Sequence, residues 1–247
     1  MTHFQGDRTD MKSLTALGKN HWDYIFDQIC YCSKDAEITS KIFEGKVGKY
    51  IFTSTGSVYS MDVPESGATE DMFDPLKHEL KMGNAEDFDY GEGKRQAESY
   101  LFQKSNFSVS SLRFPIVLGH EDTSGRLNWH IQRIKQEQNI YFPNIEGKLS
   151  FITDKDAARA LIYYAEYDQS ICVNVHSQQV RLKNLVKVIE KTLKKEALYS
   201  EREIDDNHSP YGIKSSWGLD ISKTIETGFT PQGNILELVE EITNNKK

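Results

Sequence analysis

The sequence predicts an α/β protein built on a doubly wound parallel sheet, and three observations carry that expectation. Apolar strand-like runs alternate with helical patterns along the chain, which leads to parallel strands joined by right-handed crossovers. The run Val47-Gly48-Lys49-Tyr50-Ile51-Phe52 feeds directly into the hydroxyl-rich Thr53-Ser54-Thr55-Gly56-Ser57-Val58-Tyr59. A later helical segment carries Tyr90-Gly91-Glu92-Gly93-Lys94. Residues four apart lie on one helix face, so the Tyr90 phenol and the Lys94 ammonium can share a site.

Taken in order, residues 2–6 are expected to form a short strand and residues 10–19 a helix with Leu14 and Leu17 turned inward. Residues 24–30 follow as a strand. Ser33 is placed to cap a helix running to Phe43, with Asp35 in its first turn complementing the dipole and Gly45 ending it. Between Met61 and Asp89 lies an acidic loop that suits a lid over a site, or more commonly a solvated surface. Then come a helix from Tyr90 to Phe102, a strand over 106–115 and a helix over 127–136 with Ile131 and Ile134 on its buried face. Residues 148–161 read as a strand entering a helix, with Asp156 in a structural role near the helix start. A strand over 171–175, an amphipathic helix over 182–193, a polar irregular stretch over 201–218 and a helix over 234–243 complete the chain.

Composition narrows the function. A chain of 247 residues can bury one substantial core with a smaller appended lobe. Its net charge of −7 leaves no basic excess to meet phosphates, which argues against a DNA or anionic-membrane partner. No apolar run is long enough to span a bilayer and the opening residues lack signal-peptide character, so a cytoplasmic location is expected. Cys30 and Cys32 flank Tyr31 while Cys172 stands alone, a spacing that offers neither a disulfide framework nor a zinc pattern. They are expected to be reduced, half-buried residues. The histidines show no metal-ligand spacing, and no metal is assigned.

The chemistry points to the strand end and the helix beyond it. A hydroxyl at the carboxyl end of a parallel strand sits where open α/β sheets bind ligands, so Thr55 is placed to orient a substrate oxygen. A cation near a phenol lowers its pKa from about 10 towards neutrality, allowing proton exchange with a substrate hydroxyl.

The combination T-S-T-G-S-V-Y, then Y-G-E-G-K-R-Q-A-E, then Leu112-Arg113-Phe114-Pro115-Ile116-Val117-Leu118-Gly119 resembles the NAD-dependent epimerase/dehydratase family of the extended short-chain dehydrogenase/reductase superfamily. The resemblance implies an NAD(P)-binding Rossmann-like sheet with a small C-terminal substrate lobe. Residues 1–115 would form the dinucleotide-binding part and residues 116–247 the remaining strands and the lobe, in one continuous domain. It implies a catalytic triad of Thr55, Tyr90 and Lys94, with Tyr90 as acid/base and Lys94 tuning it and holding the nicotinamide ribose. The backbone at Phe114 and Pro115 would lie by the nicotinamide. Asp7 would meet the adenine, or simply start a helix. Arg126 would pair with a phosphate of a nucleotide-sugar substrate, or be a surface arginine at a helix start. The cofactor would be NAD or NADP.

The sequence departs from the family at its beginning. The family opens with a strand, a G-x-x-G-x-x-G turn, a helix and a second strand, whereas this chain opens at the third strand, so an N-terminally truncated fold is expected. Backbone N–H groups of such a turn bind the pyrophosphate, so cofactor binding is expected to be weak. The strand at residues 2–6 is expected to be detached or re-paired, and an exposed edge to favour a homodimer. The leading function is an oxidoreductase or isomerase acting on a nucleotide sugar. The alternatives are a non-catalytic nucleotide- or RNA-binding relative and an inactive fragment of a longer enzyme.

Overall fold

The protein is described by a computed structural model covering residues 2–59 and 63–246; the expected start of the acidic loop at Met61 lies outside the described residues. In chain order the elements are α1 (Met11–Leu14), β1 (Trp22–Asp27), α2 (Ser33–Phe43), β2 (Val47–Thr55), α3 (Tyr90–Lys104), β3 (Ser108–Phe114), β4 (Ile116–Leu118), α4 (Arg126–Lys135) and β5 (Asn139–Tyr141). They continue with β6 (Lys148–Thr153), α5 (Asp154–Ala165), β7 (Ile171–Asn174), β8 (Gln178–Arg181), α6 (Leu182–Leu193), β9 (Leu198–Ser200), α7 (Ser222–Glu226) and α8 (Ile235–Asn244).

Four strands pair in the order β1-β2-β3-β7, all parallel, with Thr55 opposite Phe114 at the carboxyl end. Parallel sheets are covered on both faces, and β2 reads accordingly, with Tyr50, Ile51 and Phe52 fully buried. On one face Ala36 of α2 and Ala97 and Leu101 of α3 pack against Tyr50, Phe52 and Val109. On the other, Ala160 and Tyr164 of α5 pack against Ile51, Leu112 and Phe114. A second sheet, β4-β6-β8, pairs β6 with β8 antiparallel, and β5 pairs with β9. The lobe core joins Ile131 and Ile134 of α4, Leu185 and Ile189 of α6 and Val239 of α8.

Several boundaries differ from the sequence expectation for local reasons. Residues 2–6 form no strand; this stretch is tied down through side chains, the Asp7 N–H donating to Ser13 Oγ at 2.8 Å and Arg8 pairing with Asp27. The helix expected over 10–19 breaks into α1 and a 3-10 turn at Leu17–Lys19, where Gly18 lets the backbone press against Ile42. β1 stops at Asp27, whose carboxylate accepts the Ile29 N–H at 3.0 Å and turns the chain. The α2 cap is Cys32 rather than Ser33, its Sγ accepting the Asp35 N–H at 3.5 Å while the Ser33 hydroxyl donates to the Lys81 carbonyl at 2.7 Å. The acidic loop is pinned to the sheet, with Glu70 Oε1 accepting the Asn174 N–H at 2.7 Å and Phe73 buried. All three cysteines are free and buried rather than half-buried.

A buried ion pair fixes the geometry behind the strand ends. Arg113 on β3 meets Glu98 on α3 through two bonds, Nη2 to Oε2 at 2.7 Å and Nε to Oε1 at 3.1 Å, and neither side chain is exposed. The guanidinium also donates to the Tyr59 hydroxyl at 2.9 Å and the Phe73 carbonyl at 3.0 Å, and Ser111 donates to Glu98 at 2.8 Å. Such bidentate, saturated pairs are the form in which buried charge is tolerable.

Helix α3 sits unusually close to its neighbours. A Cβ on Gly91 would stand 2.5 Å from the Ser57 carbonyl oxygen, and one on Gly93 would stand 2.5 Å from that of Tyr31. Two outcomes are expected. Arg113→Ala, which strands the Glu98 carboxylate, should lower stability by about 3–5 kcal/mol in urea denaturation; an unchanged midpoint would show the pair to be dispensable. Gly93→Ala should destabilise by about 1–3 kcal/mol through overpacking, despite the helix-propensity gain of about 0.5–1 kcal/mol expected for that change elsewhere. A stabilised variant would show that α3 can move away at no cost.

Candidate active site

The carboxyl end of β2 and the first turn of α3 build the site. β2 ends at Thr55, which is buried to 9% exposure, and its hydroxyl accepts the Ser57 N–H at 3.2 Å, capping a 3-10 turn at Gly56–Val58. A Cβ on Gly56 would collide with the Trp217 ring, so that indole packs directly over the turn. Asp89 starts α3 by accepting the Glu92 N–H at 2.8 Å. Tyr90 is thereby held at the helix N-terminus, beside Thr55.

The Tyr90 ring is 55% exposed, yet the surrounding protein mass raises the pKa of its phenol. The nearby Thr55 hydroxyl and the positive charge of Arg126 oppose that rise, and Tyr31 adds to it. Lys94, one helical turn on, is directed inward. Its Nζ donates to the carbonyls of Cys30 at 2.9 Å and Thr53 at 2.7 Å, and lies 5.0 Å from the Tyr31 ring centroid and 4.6 Å from that of Phe52. At 2% exposure, burial holds its pKa below the usual lysine range, with the charges of Asp27 and Glu98 opposing. Tyr90 and Lys94 thus stand on one helix by one strand end, but at different depths.

The other sequence candidates are placed as follows. Arg126 is the first residue of α4, half-buried, with Nε donating to Ser124 Oγ at 3.1 Å. Phe114 is buried in the α5-facing core and Pro115 is half-buried between β3 and β4. Asp7 does not join the group around Tyr90. It is exposed, and its Oδ1 accepts the Thr9 N–H at 2.8 Å and the Thr9 hydroxyl at 2.7 Å.

Sequence reasoning missed a second polar cluster at the end of β1. Asp27 receives both Arg8 and the Tyr50 hydroxyl, and Arg8 also reaches Thr39 Oγ1 at 3.2 Å and Asp35 at 3.4 Å. Beside it a cavity of about 650 Å³ is lined by Arg8, Ile29, Tyr31, Lys34 and Asn84 among others. The usable signal was Asp27 ending an apolar strand, since a carboxylate there needs a partner. In the sequence Tyr31 reads only as a spacer between two cysteines, although its ring roofs Lys94. Among the described residues no group of three or more His, Cys, Asp or Glu is arranged to hold a metal ion, and no helix is long and apolar enough to cross a membrane.

The sequence matches no protein-family model and no curated protein. Solved structures do resemble the fold. The UDP-glucose 4-epimerase of Thermotoga maritima with UDP-glucose superposes with a TM-score of 0.72 at 19% identity, over 99% of this chain and 84% of that chain. The Thermus thermophilus UDP-glucose 4-epimerase with NAD gives 0.72 at 16% identity, over 98% and 83%. The UDP-glucuronic acid 4-epimerase of Bacillus cereus with NAD gives 0.72 at 17% identity, over 95% and 76%. With its four parallel strands, its two helical layers and its added lobe, this chain has the Rossmann-like fold of these nucleotide-sugar epimerases.

Proposed function

We propose that this chain is an NAD(P)-linked enzyme of the epimerase/dehydratase type acting on a nucleotide sugar, with residues 1–115 facing the cofactor and residues 116–247 supplying the lobe that receives the substrate. The observation that supports it is the packing of the first turn of α3, which carries Tyr90 one helical turn from Lys94, against the turn that follows Thr55 at the carboxyl end of β2. The fold adds weight, because the similar structures include ones solved with NAD and with UDP-glucose.

The residues present fit the nicotinamide end of such a cofactor. An ammonium has three donors, and two of those on Lys94 are taken by Cys30 and Thr53; the third faces the Tyr31 and Phe52 rings, so a ribose hydroxyl would reach it only with the Tyr31 ring turned aside. Tyr90 would share that ribose, the backbone at Phe114 and Pro115 would border the nicotinamide, and the second carboxylate oxygen of Asp7 would meet the adenine. The bound dinucleotide supplies the hydride acceptor and donor. The protein's own part is to orient the reacting hydroxyl on Thr55 Oγ1, to move its proton through the Tyr90 phenol, and to hold a phosphate on Arg126. The described residues contain no G-x-x-G-x-x-G turn to meet the diphosphate. Each charge-assisted bond lost there is worth roughly 1.5–3 kcal/mol, so losing two weakens affinity about a hundredfold or more. A weak NAD complex is the expected state of the chain alone.

One observation favours a non-catalytic nucleotide-binding protein, namely the roofing of Lys94 by Tyr31. Calorimetry with NAD and turnover of UDP-glucose at saturating NAD separate the two. The enzyme reading expects Tyr90→Phe to keep most of the NAD affinity, losing at most one ribose hydrogen bond, and to lose turnover by about 10²–10⁴-fold. Equal turnover in the variant would remove Tyr90 from its role, and NAD binding with no turnover in the unmodified chain would favour the non-catalytic protein. Micromolar or tighter NAD affinity would overturn the expected deficit. The protein is expected to act in the cytoplasm. The outer edge of β1, which leaves Tyr24 and Phe26 exposed, is where a homodimer would form; a concentration-independent monomer in sedimentation would exclude it.

A further inference from the structure

Two aromatic rings cover the Lys94 ammonium, and only one of them is fixed. Phe52 is fully buried in the layer that α2 and α3 make with the sheet, so its ring has nowhere to turn. Tyr31 is 43% exposed, and among the described residues its hydroxyl makes no hydrogen bond and its ring stacks on no other. Its backbone, by contrast, is pinned from two sides. The N–H donates to Asp35 Oδ2 at 2.8 Å, and the carbonyl oxygen lies so close to α3 that a Cβ on Gly93 would stand 2.5 Å from it. Tyr31 is thus a fixed post carrying a ring that is held on one face alone.

The cavity of about 650 Å³ past the end of β1 adjoins the same ring. Tyr31 lines it together with Arg8, Ile29, Lys34, Ile38 and Asn84, while Lys94 is not on its wall, so the ring stands between the ammonium and this space. The volume falls within the range of small-molecule sites, roughly 300–1,000 Å³, and leaves room for a phenol ring to swing into. Ile29 and Ile38 offer that ring an apolar surface there. The other sides of the ammonium are taken by the Cys30 carbonyl at 2.9 Å, the Thr53 carbonyl at 2.7 Å and the Phe52 ring, and Lys94 is 2% exposed. Its third N–H is therefore reached from the Tyr31 side.

We infer that Tyr31 is a gate on Lys94: its ring shuts the ammonium off from the cavity past the end of β1, and turns into that cavity to let a ligand hydroxyl take the third N–H. No covalent bond changes. The cation–π contact of the closed state is exchanged for an N–H···O bond from Lys94 and for contact of the ring with Ile29 and Ile38. A contact between an ammonium and an aromatic face favours the closed state by about 2–30-fold. A ligand must then bind the open minority, and its apparent affinity falls by the open fraction. That the ligand is a nucleotide, offering ribose hydroxyls, rests on the NAD(P) reading of the site. The gate itself rests on the geometry around Lys94 and is tested without any ligand, so the two fail separately.

The test is the labelling of Lys94 in the full chain by formaldehyde and cyanoborohydride, read by peptide mapping across a pH series so that the Lys94 midpoint and its accessibility separate. Removing the ring in Tyr31→Ala should raise the accessible rate by about 2–30-fold, the factor that the closed state supplies. Tyr31→Phe, which keeps the ring and loses only an unpartnered hydroxyl, should label as slowly as the unmodified chain. If Tyr31→Ala lacks native circular dichroism, Tyr31→Leu takes its place, with a rise in the same direction. Calorimetry with NAD gives the second readout: the ringless variant should bind NAD more tightly by the same factor, because no ring has to be displaced. A native ringless variant that labels no faster would overturn the gate. One that labels faster but binds NAD more weakly would overturn it too, since the ring would then be part of the ligand's platform. Faster labelling with no NAD binding to either chain would uphold the gate and remove the nucleotide reading.

Discussion

The rest of the structure depends on one ammonium. Lys94 Nζ reaches from α3 to the backbone carbonyls of Cys30, just past β1, and of Thr53, near the end of β2. Where parallel strands end, carbonyls lose their ladder partners and must find others. A buried lysine answers two of them at once and binds the helix to both strands. Its desolvation is tolerable because the remaining surface of the ammonium faces the Tyr31 and Phe52 rings. The height of α3 above the sheet follows from this, and with it the position of Tyr90. The glycines at 91 and 93 are what permit the helix to come that close.

A second buried charge works from behind. Arg113 and Glu98 join β3 to the far side of the same helix, and through Tyr59 and Phe73 they draw in the chain just before the acidic loop and the loop itself. α3 is therefore clamped at two levels, by carbonyls near its start and by a carboxylate further along. The front clamp serves the site and the rear one serves the loop. Neither rests on apolar packing alone, in keeping with the small apolar residue Ala97 and the polar Gln96, Glu98 and Ser99 buried along this helix.

Much of this was legible in the sequence, and the parts that were not share a cause. The extent of α6, the course of β2 and the start of α3 followed from the periodicity of the residues, because local patterns determine them. Strand-end and helix spacing placed Thr55 at the carboxyl end of β2 and Tyr90 and Lys94 on one helix, as the structure has them. Spacing alone gave Tyr90 and Lys94 one face but not one depth, since depth depends on which backbone carbonyls lie beneath the helix. Arg8 with Asp27, and Arg113 with Glu98, join residues far apart in the chain, and nothing local marks a charge as buried. The strand expected at residues 2–6 failed for the complementary reason: a strand needs a neighbour, and its own composition does not supply one.

The order of strands in the main sheet has a consequence for how the chain assembles. β7 closes the edge beside β3, pairing Ser110 with Ile171, and the whole of β4 to α5 lies between them in the chain. Non-local pairing of this kind must meet a loop-closure cost before it gains any contacts, which slows folding. Until α5 and β7 have docked, β3 presents an open, apolar edge and Leu112 and Phe114 lack their cover. The lobe's first elements are therefore expected to act as a folding bridge for the sheet. A nascent chain halted after Phe114 would hold Thr55, Tyr90 and Lys94 in sequence while lacking the wall that sets β3 against β7.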